Sequence, residues 1–301
     1  MSSVIMDGKE LAQNLKNQIA DWIKNADFTP SLAILTIGDD DASKVYVKNK
    51  MKAAEEVGIT VHHIIINYEQ YRDAKLFVNL QQIIDEHDGV ILQLPVPEWC
   101  DPALILDQIP HEKDVDGLTI YQQGLLREDA SDAMIPCTPE GIIRLVNTYR
   151  PRHLKRGNAL VIGRSALVGR PVAELLLQDD WTVTICHSKT PKSELLRAFA
   201  NADLVVSAVG KRNLITENDA EQYWKDNRHD PLGDLNFKRN RMIIDVGINR
   251  DENGKLCGDL SEEFKQKYGA WYTPVPGGVG PMTVAILMLN TYVAAARRQL
   301  C

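Results

Sequence analysis

Strand-like and helix-like stretches alternate through this chain almost from its first residue, and that alternation narrows the possible folds more than any other property. Residues around 8–24 carry helical periodicity, Ser31 to Gly38 reads as a buried strand, and Ala42 to Val57 is helical with its apolar positions on one side. Thr60 to Tyr68 is strand-like, a helix is predicted near 71–86, and Gly89 to Leu94 forms a third strand. A βαβ series of this kind builds a largely parallel sheet covered by helices, so the fold class is α/β. After a helix start at Thr138-Pro139 and a polar stretch at 149–157, the pattern restarts with a strand from Asn158 to Gly163 and a helix from Val168 to Gln178. Further strands are predicted at Trp181 to Cys186, Asp203 to Ala208 and Arg241 to Ile248, and the apolar run 281–296 is a final helix. The 301 residues suit two domains of roughly 150 residues each. The division expected is 1–147 plus 281–301 and 148–280, with 211–240 as a polar excursion from the second sheet.

Composition removes several classes of function. A hydrophobic content of 44% and a charged content of 25% are those of a globular protein. No stretch approaches the roughly 18 consecutive apolar residues of a membrane span, and the start of the chain has no basic region followed by an apolar run. A cytoplasmic protein that does not act on a membrane is expected. Five cysteines, odd in number and never in a C-x-x-C pair, argue for reduced thiols and against a disulfide framework or a zinc site. A formal net charge of −7 disfavours nucleic acid as a partner and leaves room for a local basic pocket that takes an anionic small molecule.

Several stretches can carry chemistry. Tyr272 to Thr283 combines three prolines with three glycines, which describes a loop held in one unusual shape near a flat ligand or a tight strand-to-helix connection. Gly163-Arg-Ser-Ala-Leu-Val-Gly169 lies between a strand and a helix N-terminus, where backbone N–H groups and the helix dipole favour a pyrophosphate. The following strand ends Cys186-His-Ser-Lys-Thr190 without the acid that accepts from a ribose 2′-hydroxyl. Arg164, Ser188 and Lys189 instead offer donors to a 2′-phosphate, which favours NADP over NAD. Tyr46 and Lys50, four residues apart with Ser43 just before them, share one helix face. A lysine there serves either as a proton-handling group drawn out of water or as part of a solvated basic face. Gln93 and Asp116 stand at or beyond strand ends, as ligand contacts or as an edge-capping amide and a turn-forming carboxylate.

Together these residues resemble the methylenetetrahydrofolate dehydrogenase/cyclohydrolase family over nearly the whole chain. The resemblance rests on Tyr46-x-x-x-Lys50, Leu92-Gln-Leu-Pro95, Lys113-Asp-Val-Asp-Gly117, Pro136-Cys-Thr-Pro139, Gly163-Arg-Ser-x-x-Val-Gly169-x-Pro171 and Pro274-Val-Pro-Gly-Gly-Val-Gly-Pro-Met-Thr283. It implies an N-terminal α/β catalytic domain, a Rossmann-like NADP-binding domain and a cleft between them, in a homodimer acting on tetrahydrofolate derivatives in one-carbon metabolism. It further implies oxidation of 5,10-methylenetetrahydrofolate by NADP and hydrolysis of the methenyl product to 10-formyltetrahydrofolate. Lys50 is then the key residue of hydrolysis, tuned by Gln93. Tyr46 lies against the folate, Asp116 grips the pterin, and Pro276, Gly277 and Gly278 border the substrate. Gly163, Arg164, Ser165, Ser188 and Ile248 contact the dinucleotide, and no metal is required. The chain departs from the family after Gly210, where Lys211-Arg-Asn and a long polar excursion to about 240 replace a short Gly- or Pro-containing loop and compact helix.

Overall fold

A computed structural model describes residues 3–38, 41–73, 75–151, 156–226 and 241–300. The first half contains β1 (Val4–Ile5), α1 (Gly8–Lys24), β2 (Ser31–Ile37), α2 (Asp41–Val57), β3 (Thr60–Ile66), α3 (Tyr68–Arg72), α4 (Leu76–Glu86) and β4 (Gly89–Leu92), then α5 (Pro102–Leu106), α6 (Ile120–Arg127) and α7 (Cys137–Tyr149). The second contains β5 (Asn158–Ile162), α8 (Gly169–Gln178), β6 (Thr182–Cys186), α9 (Lys192–Asn201), β7 (Leu204–Ser207), α10 (Glu217–Asp226), β8 (Met242–Asp245) and β9 (Asn249–Arg250). It closes with β10 (Leu256–Cys257), α11 (Glu262–Tyr268), β11 (Trp271–Tyr272) and α12 (Val279–Arg298). The single helix predicted near 71–86 is two. Asn67 caps α3 by accepting from the Gln70 N–H, and Asp73 ends α3 in extended backbone before α4 begins.

The chain folds as two compact units. Residues 12–137 with 284–301 surround a three-stranded parallel sheet in the order β3-β2-β4. Leu32 to Ile37 on the central β2 are buried without a break, because helices cover both faces of a parallel sheet. Ala33, Leu35 and Ile37 pack with Val90, Leu92, Leu80, Ile84 and Ile105. β3 is an edge strand, and its exposure is correspondingly mixed.

Residues 1–11 with 138–283 form the second unit, whose six parallel strands run in the order β1-β11-β8-β7-β5-β6. The chain leaves β5 toward β6 on one side and then crosses to β7 on the other. The ends of β5 and β7 are therefore a topological switch point, where ligands of open α/β sheets bind. Loops meet closely there: a Cβ on Gly163, at φ 119°, would stand 2.4 Å from the Ala208 carbonyl oxygen.

The units divide the chain elsewhere than at 147/148 and 280/281. β1 pairs with β11, which carries the first residues into the six-stranded sheet. α7 joins the same unit through a Thr138 Oγ to Thr283 Oγ hydrogen bond of 3.0 Å and the fit of Gly141 against Met282. Of the expected excursion at 211–240, residues 227–240 lie outside the described residues, but its first part is core. Ile215 and Ala220 are buried with Leu195 and Phe199, and Lys192 pairs with Asp219 at 2.9 Å. One expectation about membranes needs correction as well. Among the described residues α12 is long and apolar enough to cross one, and 56% of its most apolar window is buried inside the protein. A helix of that composition serves here as a core element.

Candidate active site

Lys50, Asp116 and a residue the sequence reading did not single out, Cys137, converge in the three-stranded unit. α2 follows central strand β2 and carries Tyr46, 40% exposed, and Lys50, half-buried, one turn apart. Asp116 stands in the turn between α5 and α6, half-buried beside the wholly buried Cys137 thiol at the start of α7. Burial pushes that thiol well above its ordinary pKa; the hydrogen-bonded Asp116 carboxylate adds to the rise, and the Lys50 ammonium opposes it. The side chain of Ser43 lies outside the described residues.

The turn carrying Asp116 is pinned from three sides. Gly117 has φ 67° and no room for a side chain, since a Cβ would lie 2.5 Å from the Met134 carbonyl oxygen. Asp114, almost wholly buried, accepts the Thr119 N–H at 2.7 Å, and burial raises its pKa against that hydrogen bond. Asn290 of α12 donates to the Val115 and Ile135 carbonyls at 3.0 and 3.1 Å and approaches the Cys137 sulfur at 3.8 Å. Cys137 donates to the Val115 carbonyl at 3.4 Å.

Gln93 directly follows β4, and its backbone N–H extends the ladder to Leu35 at 2.8 Å. The side chain is 7% exposed. Its Nε2 donates to the Leu94 carbonyl at 2.6 Å, while Oε1 is buried with no hydrogen-bond partner. Buried acceptors are normally satisfied. An orphaned amide oxygen at a strand end suits a donor brought by a ligand.

In the six-stranded unit the turn from β5 to α8 has the shape of a phosphate cradle. A Cβ on Gly169 would stand 2.4 Å from the Gly163 carbonyl oxygen, so both glycines are needed for the turn to close. Ser165 Oγ accepts the Val168 and Gly169 N–H groups at 3.2 and 3.4 Å, standing in for the cap that Val168 does not provide. Arg164 and Ser165 are exposed. β5 and β6 pair with Ile162 opposite Cys186, so Arg164 and Ser188 each stand two residues past the same end of the sheet. His187 to Thr190 is a tight turn: the Lys189 N–H donates to His187 Nδ1 at 3.2 Å and the His187 N–H to Thr190 Oγ1 at 3.0 Å. Ile248, 54% exposed, follows β8. The glycine cradle and the exposed cations fit a dinucleotide bearing phosphates.

The Pro/Gly loop belongs to this same unit, and the protein's own structure already accounts for two of its three glycines, Gly277 and Gly278. A Cβ on Gly278 would lie 2.6 Å from Thr273 Cβ, and one on Gly8 would lie 1.8 Å from the Gly278 carbonyl oxygen. Gly277, at φ 112°, lies under Lys9. Gly277 and Gly278 are buried, and Pro276 is the exposed member of the trio.

Two family models match the chain. The tetrahydrofolate dehydrogenase/cyclohydrolase catalytic domain covers residues 6–116, and the NAD(P)-binding domain of the same family covers 136–223 and 232–299. The chain belongs to this family. It is similar to the bifunctional protein FolD of Lysinibacillus sphaericus, 37% identical over 99% of both chains, and to that of Bacillus subtilis, 38% identical over 99% of both. Among solved structures it is similar to the FolD methylenetetrahydrofolate dehydrogenase/cyclohydrolase of Campylobacter jejuni, with TM-score 0.85 and 34% identity over 99% of this chain and 100% of that one. A Trypanosoma brucei FolD solved with NADP and an inhibitor has TM-score 0.82 and 26% identity over 100% of this chain and 99% of that one. The chain is thus a dehydrogenase/cyclohydrolase of tetrahydrofolate metabolism with an NAD(P)-binding domain. The interval 224–231, which the second family model leaves unmatched, falls in the polar excursion.

Sequence reasoning passed over Cys137 and Asn290. Pro136-Cys-Thr-Pro139 was visible as a motif, but a lone thiol carries no signal of what it touches. Asn290 stands as a polar side chain within the apolar run 281–296 and was not singled out. Replacing it by alanine leaves the buried Val115 carbonyl with the Cys137 thiol alone and takes a donor from the part-buried Ile135 carbonyl, each lost donor costing about 1–3 kcal/mol. Asn290→Ala is expected to lower unfolding stability by about 2–4 kcal/mol, read as a shifted urea midpoint with an unchanged slope.

Proposed function

We propose that this member of the family oxidises 5,10-methylenetetrahydrofolate with NADP and hydrolyses the methenyl product to 10-formyltetrahydrofolate. The convergence of Lys50 and Asp116 about Cys137 carries the reading, because it sets an amine and a carboxylate near one another. In the first step the one-carbon bridge loses hydride with both electrons and becomes a methenyl cation. NADP supplies the hydride acceptor when bound. In the second step water adds to the cation, a proton is released and the ring opens.

The chain's own groups are placed for these tasks. Lys50 handles the protons of water addition, for which a switchable amine suits better than an always-charged guanidinium. Gln93 orients that amine or the folate through its orphaned oxygen. Asp116 accepts hydrogen bonds from the amino-heterocycle, and its rigid turn keeps the carboxylate in register. Tyr46, exposed one turn from Lys50, offers a face for the ring system. Pro276, with Gly277 and Gly278 behind it, adds a wall on the substrate side. Gly163 and Ser165 shape the pyrophosphate turn, Arg164 and Ser188 meet the 2′-phosphate, and Ile248 lies against the nicotinamide end. The family relative solved with NADP supports the choice of dinucleotide. As functional parts, residues 1–147 with 281–301 serve folate and 148–280 serve the dinucleotide. A cytoplasmic homodimer follows from the same family resemblance.

The primary test is incubation with methylenetetrahydrofolate and NADP. New near-ultraviolet absorbance from the methenyl product is expected, and its absence at high enzyme concentration overturns the dehydrogenase reading. Lys50→Met is expected to abolish methenyl hydrolysis; turnover at the parent rate removes Lys50 from its role. Arg164→Ala is expected to raise the KM for NADP by about tenfold and that for NAD far less, as loss of a charge-assisted contact to phosphate implies. Equal losses for the two dinucleotides overturn the assignment of Arg164 to the 2′-phosphate.

A further inference from the structure

Two carboxylates lying wholly inside the protein hold one half of the six-stranded sheet's ligand rim. Asp259 is fully buried, and its side chain accepts four hydrogen bonds. Oδ2 accepts Ser207 Oγ–H and the Val209 N–H, each at 2.9 Å. Oδ1 accepts the Lys211 N–H at 2.8 Å and Asn249 Nδ2–H at 3.0 Å. An ionised carboxylate has about four acceptor positions and no donor, so every position is used. Ser207 ends β7, Val209 and Lys211 lie in the loop it enters, and Asn249 follows the loop that leaves β8.

Asp245 completes the arrangement. It accepts the N–H groups of Gly247, Asp259 and Leu260 at 3.2, 2.9 and 3.0 Å. A Cβ on Gly247 would stand 2.0 Å from Asp259 Oδ1, and one on Gly258 would stand 2.0 Å from Asp245 Oδ2. Each carboxylate thus fills the space that a glycine of the other's segment leaves open. The two loops held in this way present Val209 and Ile248, 41% and 54% exposed, just past the ends of neighbouring strands β7 and β8. Large apolar side chains left exposed at a strand-end rim suit the flat face of a heterocycle.

We propose that Asp259 is a positioning residue for the nicotinamide end of the dinucleotide: through the loops 207–211 and 245–249 it sets Val209 and Ile248 as the apolar wall for the ring. The proposal rests on the NAD(P) reading above and adds to it two residues, Asp259 and Val209. Arg164 and Ser188 follow β5 and β6, whereas the loops governed by Asp259 follow β7 and β8. Asp259 therefore acts on NADP and NAD alike, while the 2′-phosphate donors separate them.

The test is Asp259→Asn. An amide has one accepting atom, so in either orientation two of the four donors face an NH2 group. Dissociation constants for NADPH and NADH are measured by fluorescence titration, with folding checked by near-ultraviolet circular dichroism. Both constants are expected to rise at least tenfold, with their ratio kept within twofold. The KM for the dinucleotide should rise in parallel, and that for methylenetetrahydrofolate should stay within threefold, because a general loosening would move both. A folded variant that binds both dinucleotides within twofold of wild type overturns the proposal, as does a loss confined to NADPH or a matching rise in the folate KM. If Asp259→Asn does not fold, Ser207→Ala and Asn249→Ala each remove one donor. A two- to fivefold rise for both dinucleotides supports the proposal, and unchanged constants overturn it. Wild-type protein that binds neither dinucleotide overturns the NAD(P) reading itself, which separates that failure from a failure of Asp259 alone.

Discussion

The loops beyond the strand ends depend on buried carboxylates that satisfy backbone N–H groups withdrawn from water. Asp88 accepts from Ser31 backbone and hydroxyl, Asp114 from Thr119, Asp245 from Gly247, Asp259 and Leu260, and Asp259 from Val209 and Lys211. An unsatisfied buried N–H costs about 1–3 kcal/mol, and an unpaired buried charge costs more. Each of these acids removes one problem by means of the other. Burial pushes Asp245 up to about 6 despite the Lys265 ammonium 3.7 Å away.

The result is a set of rigid loops on which functional side chains are mounted. Asp116 and its neighbours are held by Asp114, Gly117 and Asn290. Val209 and Ile248 are held by Asp259 and Asp245. Arg164 sits on a turn closed by Gly163, Gly169 and the Ser165 hydroxyl. The supporting contacts are satisfied within the protein, whereas Tyr46, Arg164, Ser188, Val209 and Ile248 remain exposed. Rigid support beneath exposed side chains is what the proposed positioning for hydride transfer and water addition requires.

Close packing also revises the meaning of the Pro/Gly loop. Gly278 has no side-chain space because Thr273 and the Pro274 carbonyl occupy it, and Gly277 holds a φ of 112° beside Lys9. Their glycine identity thus has an internal structural cause, independent of any ligand. Pro276 is the exposed member of that trio.

The sequence alone determined the α/β alternation, because buried parallel strands such as 32–37 need continuous apolar runs and their covering helices need one-sided ones. It also determined the phosphate turn, where two glycines and a following helix leave little alternative, and the acid-free end of β6. The site motifs were legible for related reasons: Gln93 and Asp116 are polar residues in an apolar strand or turn context, and Lys50 shares a helix face with Tyr46. Tertiary structure decided what depends on distant segments. β1 joins β11 across the length of the chain, Asn290 reaches Val115 from 175 positions away, and Asp259 lies 48 to 52 positions from three of its four donors. Local periodicity registers neighbours within a turn or a strand. A buried carboxylate or amide gains its role from whichever backbone groups the fold brings to it, and that pairing leaves no trace in the residues on either side.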